Sequence, residues 1–157
     1  MRILNNILYD KVINYLNLNS NEVRLIDVNK DGNCFYRVIS YFLFANENYY
    51  NLIRLTLYDF IMNNSKSIIN HNPYIDYFGK IYHFNDYVQF IKEDSFYARD
   101  LEIAQANKCF KINISCYKYI QSENIYKKIL SYYNNDADIK INPLCILLYK
   151  DNYIIIN

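Results

Sequence analysis

Cys34 lies in the stretch Asp31-Gly32-Asn33-Cys34-Phe35-Tyr36-Arg37, where a polar turn holding the chain's first glycine meets apolar residues at helical spacing. Those residues are Phe35, Val38, Ile39, Phe42 and Leu43. The pattern carries a loop into a buried helix and sets the cysteine in the helix's first turn. There, unpaired N–H groups and the positive end of the helix dipole favour thiolate over thiol. A thiolate is a nucleophile, and the backbone N–H groups of the turn, at Gly32 and Asn33, suit an oxyanion. Asp31 can cap the turn, and Gly32 supplies a conformation that a side chain would hinder. The chemistry that fits is covalent catalysis by a thiol. The same residues also describe a capped helix that carries a small buried cysteine.

Other chemical groups are sparse. The two histidines, His71 and His83, both fall in the middle of the chain. Four cysteines, Cys34, Cys109, Cys116 and Cys145, form no C-x-x-C pair, so neither a disulfide framework nor a zinc site is expected, and no cofactor is implied. The last three lie in apolar stretches and read as core residues. Glu93-Asp94 and Asp136-Asp138 read as loop charges. Lys118-Tyr119 and Tyr126-Lys127-Lys128 interleave bases with aromatics as single-strand binders do, yet a formal net charge of +1 argues for a solvated sheet edge. No nucleic acid or membrane partner is expected from that charge, and no apolar run reaches the length of a bilayer crossing. Met1 to Asn6 shows no secretory signal, which points to the cytoplasm.

The elements that must position Cys34 follow from periodicity. At 157 residues, 52% of them hydrophobic and 21% charged, the chain has the length and balance of a single globular domain, 1–157. Ile3, Leu4, Ile7, Leu8, Val12, Tyr15 and Leu16 share a helical face, predicting a helix over 3–17. Arg24 to Val28 is short and extended and delivers the chain to the Asp31 turn. A second helix is predicted from Tyr49 to Met62, loops and short helical pieces over 63–83, and helices over Phe84–Lys92 and Arg99–Lys108, the last capped by Asp100. Then the period changes. Phe110 to Cys116 alternates as a strand with one buried face. Ile125–Tyr132 follows as a second strand, Leu144–Tyr149 as an apolar central one and Tyr153–Ile156 as the last. Helices first and a compact sheet last make an α+β domain.

The nucleophile stretch, followed by Ile39-Ser40, resembles that of the ovarian tumour (OTU) family of cysteine deubiquitinases. Further segments agree in order. Leu52-Ile53-Arg54 is similar to the Leu-Arg pair that starts the family's next helix. Tyr97 to Ala106 is similar to a segment that usually begins Trp-Gly and continues Glu-Leu-x-Ala-x-Ala. Lys111–Cys116 and Leu144–Ile155 resemble the closing strands. The resemblance implies a papain-type fold with helices packed around a small C-terminal β-sheet. It implies that Cys34 attacks an isopeptide carbonyl, that Asp31 helps shape the oxyanion hole, and that residues near 63–83 form an arm towards the substrate.

One position departs. Where the family has histidine before tyrosine, this chain has Asn152-Tyr153, and Ile154 stands where an Asp or Asn would orient the histidine. Asparagine hydrogen-bonds but cannot titrate, so neither thiol activation nor protonation of the leaving amine is assisted. The expectation is a domain that binds ubiquitin or a ubiquitin-like protein, with isopeptidase turnover lost or strongly impaired. The alternatives are an active enzyme with another base, for which His71 and His83 are the candidates, and an interaction module without a ubiquitin function.

Overall fold

A computed structural model of the protein describes residues 2–3, 25–69, 74–76, 78–120, 125–132, 144–149 and 152–156. In chain order the elements are β1 (Arg2–Ile3), β2 (Leu25–Asp27), α1 (Cys34–Phe44), a 3₁₀ turn at Glu47–Tyr49, α2 (Tyr50–Asn63) and α3 (Ser65–Ile68). Next come β3 (Tyr74–Ile75), β4 (Ile81–Tyr82), α4 (Phe84–Ile91), α5 (Asp100–Cys109), β5 (Ile114–Ile120), β6 (Ile125–Tyr132), β7 (Leu144–Tyr149) and β8 (Asn152–Ile156). The helix predicted over 3–17 lies outside the described residues, apart from Ile3, which is in a strand.

Six strands form one sheet in the order β1-β2-β8-β7-β5-β6. Only β5 and β7 run parallel among the described pairings. β7 is almost wholly apolar because it lies inside the sheet, with Leu144, Ile146 and Leu147 buried. The sheet is larger than its C-terminal hairpins: β2 pairs with β8 and adds two strands from the N-terminal part of the chain.

The predicted strand at Phe110 begins four residues late. Phe110 N–H still bonds to Ala106 C=O, and Lys111 turns the chain with φ +53°. The Asn107 amide closes the exit by donating to Ile112 C=O at 2.6 Å. The alternating pattern therefore starts inside the helix's exit turn, and the ladder begins at Ile114. Sequence also missed the small hairpin β3–β4. Its strands are two residues long, too short for a period to show. It is held by Asp76, whose carboxylate accepts the N–H groups of Phe78 and Lys80, each at 2.9 Å, and the Tyr82 hydroxyl at 3.0 Å.

Helical stripes supply the other layer. Ile53, Leu57 and Ile61 on α2, and Phe84, Tyr87, Val88 and Ile91 on α4, recur at three- and four-residue spacing and are all buried. Each such side chain is worth about 1.5–3 kcal/mol on leaving water. α1 is buried from Cys34 to Ser40 and packs on β8, where the Phe35 and Tyr153 rings meet edge-to-face at 5.5 Å. No helix among the described residues is long and apolar enough to cross a membrane.

Candidate active site

Cys34 is the first residue of α1, as the turn-to-helix pattern requires, and is only 1% exposed. Three backbone N–H groups point at its sulfur: its own, that of Phe35 and that of Tyr153. The Tyr153 contact follows from the sheet. Pairing between β2 and β8 ends at Asp27 opposite Ile154, leaving Tyr153 just beyond the last β2 partner. Two elements distant in sequence thus converge on one thiol.

These donors do not deliver the depressed thiol pKa expected from the sequence. Burial outweighs them and pushes Cys34 up to about 11. Cys109 reaches about 11 and Cys116 about 12, also through burial, and Cys145 is raised too. The helix terminus is present, but enclosing the sulfur costs the thiolate more than the dipole returns.

Asp31 caps the turn and leaves the N–H groups of α1 alone. Its carboxylate turns back to accept the N–H of Asn33 at 3.0 Å and grips Arg37, with Nε at 3.2 Å from both oxygens and Nη2 at 2.6 Å from one. Burial would raise this carboxyl's pKa, but the bonds from Arg37 and Asn33 hold it below the ordinary range. Arg37 is itself fixed 3.8 Å over the Tyr50 ring, so the turn is tied to the start of α2. The Asn33 N–H is therefore engaged within the turn in this conformation. Gly32 has φ +80°, and a Cβ there would lie 2.2 Å from the Ser95 carbonyl oxygen. Only glycine fits that close approach.

Sequence reasoning gave no role to Arg54, Asp94 or Ser95. The Asn33 side chain accepts from Arg54 Nη2 and from Ser95 N–H at 3.1 Å, and donates to Asp94 Oδ1 at 3.0 Å. Asp94 is thus more than a loop charge. Arg54 is completely buried, and backbone carbonyls of Ile91 and Phe96 hold it at 2.7–3.1 Å. A signal did exist: Arg54 shares helical register with Leu57 and Ile61, so it had to face the core.

His83 stands apart from this arrangement. His83 precedes α4 and is exposed, lining a surface cavity of about 460 Å³ with Lys80, Ile81, Tyr82, Asp86, Gln89 and Phe90. Its place between Tyr82 and Phe84 suggests a partly buried aromatic-cluster residue, but those two neighbours turn inwards and His83 does not. His71 lies outside the described residues. Asn152 opens β8, paired with Tyr149, directly before the residue whose N–H meets the Cys34 sulfur. Among the described residues no group of three His, Cys, Asp or Glu side chains could hold a metal ion.

The sequence model of the OTU-like cysteine proteases matches residues 29–154, spanning the turn, Cys34 and the final hairpin. The chain belongs to the OTU family. Solved OTU structures agree on the fold. The OTUD1 OTU domain superposes with a TM-score of 0.70 at 13% identity, covering 98% of this chain and 99% of that one. The Hazara virus OTU bound to ubiquitin gives 0.61 at 14%, covering 86% of this chain and 80% of that one. An OTU domain in complex with ubiquitin gives 0.62 at 19%, covering 88% and 72%. No curated protein sequence matches the chain. The fold is that of the papain-like cysteine proteases, as the resemblance implied.

Proposed function

We propose that this OTU domain binds ubiquitin or a ubiquitin-like protein and that its isopeptidase turnover is lost or strongly impaired. The observation that carries the reading is the approach of Tyr153 N–H to the Cys34 sulfur. It sets residue 152, where the family resemblance calls for histidine, at the start of the strand that reaches the nucleophile, and residue 152 is asparagine. Asparagine neither takes a proton from the thiol nor returns one to a departing lysine amine. Cys34, Asp31 and Gly32 supply the nucleophile and its turn, whereas His83, the one histidine among the described residues, is exposed before α4 and apart from them.

Two further observations support binding. Relatives of this fold are complexes with ubiquitin, a partner carried over here as part of the proposal. The segment expected to reach the substrate ends in the β3–β4 hairpin, which presents Ile75, Phe78 and Ile81 to solvent, with Phe78 83% exposed. Ile75 and Ile81 pair across the hairpin, and exposed apolar side chains gathered in this way suit a protein contact. Titrating labelled ubiquitin with the protein tests the reading. Saturable binding that weakens in Phe78→Ala supports it, and no binding of ubiquitin or of ubiquitin-like proteins overturns it.

A further inference from the structure

We propose that Asn33 is the positioning residue of the nucleophile turn, locking it to the 92–96 segment and so fixing where Cys34 sits. Asparagine at a helix start ordinarily turns its side chain back to cap the first N–H groups. Asn33 precedes α1 and makes no such bond. Its amide, 1% exposed, is spent across the molecule on Arg54, Asp94 and Ser95. A residue that forgoes its local use in this way is held by a wider requirement.

The lock has three parts. The Asn33 amide joins the turn to both Asp94 and Ser95. Arg54 gathers the flanks, holding the carbonyls of Ile91 and Phe96 together with the Asn33 oxygen, while its guanidinium lies 3.9 Å over the Tyr36 ring. The backbone of Gly32 then seats against the Ser95 carbonyl, closer than any side chain would allow. Ser95 itself sits at φ +64°, a left-handed conformation unusual for serine that the bond from its N–H to Asn33 helps to hold. If the amide is removed, the turn and the segment lose their common fixing point. Cys34, the next residue, then loses its place against Tyr153.

The inference deepens the reading of Cys34 as the nucleophile and rests on it, but the decisive measurement does not require ubiquitin. Iodoacetamide labelling of the folded protein, mapped at all four cysteines, is compared for the native chain, Asn33→Ala and Asp94→Ala. Asp94 is exposed, so its variant remains informative if Asn33→Ala does not fold. Loss of one to three hydrogen bonds is expected to raise the labelling rate of Cys34 about tenfold in Asn33→Ala and about threefold in Asp94→Ala. Cys116, buried in β5, keeps its native rate. A Cys34 rate unchanged in both variants, or a parallel rise at all four cysteines, overturns the proposal, because either outcome is that of a residue without local control. Titration with labelled ubiquitin reports on the parent reading separately. Ubiquitin binding by the native protein together with selective loosening of Cys34 in the variants supports both. Selective loosening of Cys34 without ubiquitin binding by the native protein supports the lock and overturns the ubiquitin reading.

Discussion

The backbone N–H of Tyr153 is aimed at the sulfur of Cys34, so the last strand completes what the first turn of α1 begins. Three N–H groups around one sulfur would stabilise an anion, yet the thiol is 1% exposed and pushed up to about 11. The expected consequence is a slow nucleophile. Its labelling by iodoacetamide should climb about tenfold per pH unit from pH 8 to 10, as the thiolate fraction does below the pKa. Cys109 and Cys145 are only partly buried, so Cys34 is expected to label more slowly than either. A rate already at its plateau at pH 8 would contradict the enclosed thiol.

Glu102 should make stability depend on pH. Completely buried, it accepts the Tyr87 hydroxyl at 3.1 Å and the Arg99 N–H at 3.1 Å, with burial raising its pKa to about 7. A folded-state pKa raised above the unfolded value favours the protonated native state. That stability is fully present below the unfolded pKa near 4.5 and is lost as pH rises through 7. A shift of this size corresponds to about 3 kcal/mol between pH 4 and pH 8. Urea unfolding across that range should show the decline in the native protein and a flatter profile in Glu102→Gln.

Much of this was legible in the residues themselves. The Asp31 turn, the helix at Cys34, the α2 and α4 stripes and the apolar β7 strand each rest on spacing that a local pattern dictates. The Asn33–Asp94–Ser95 contacts were not legible, because residues about sixty positions apart meet only through the packing of α2 against α4 and α5. The thiol pKa was misjudged for a related reason. A helix terminus can be read from sequence, whereas the depth at which its first residue is buried depends on β8 and the loops around it.

Gly32→Ala should be among the most damaging single substitutions. The new Cβ meets a backbone carbonyl at 2.2 Å, and φ +80° adds strain. A loss of about 2–4 kcal/mol is expected in urea unfolding, from overpacking combined with an unfavourable backbone conformation. A loss below 1 kcal/mol would mean that the turn and Ser95 are not in contact.

The hairpin prediction separates binding from folding. Phe78→Ala and Ile81→Asp change exposed side chains, so the melting temperature should move by no more than a degree or two. Ubiquitin affinity should fall about tenfold if Phe78 is one of the few residues that dominate such a contact. Unchanged affinity in both variants would remove the hairpin from the interface.

Cleavage of di-ubiquitin by the native protein and by Asn152→His is the most direct measurement of the central claim. A second change, Ile154→Asp, would model the family's orienting acid, but Ile154 is fully buried and pairs with both Asp27 and Leu147. A carboxylate there costs more than it orients, so the single substitution is the cleaner test. The expected result is negligible cleavage by the native protein and a gain of about 10²-fold or more in Asn152→His, the usual worth of a positioned acid–base group. Robust cleavage by the native protein that disappears in Cys34→Ala would contradict the account.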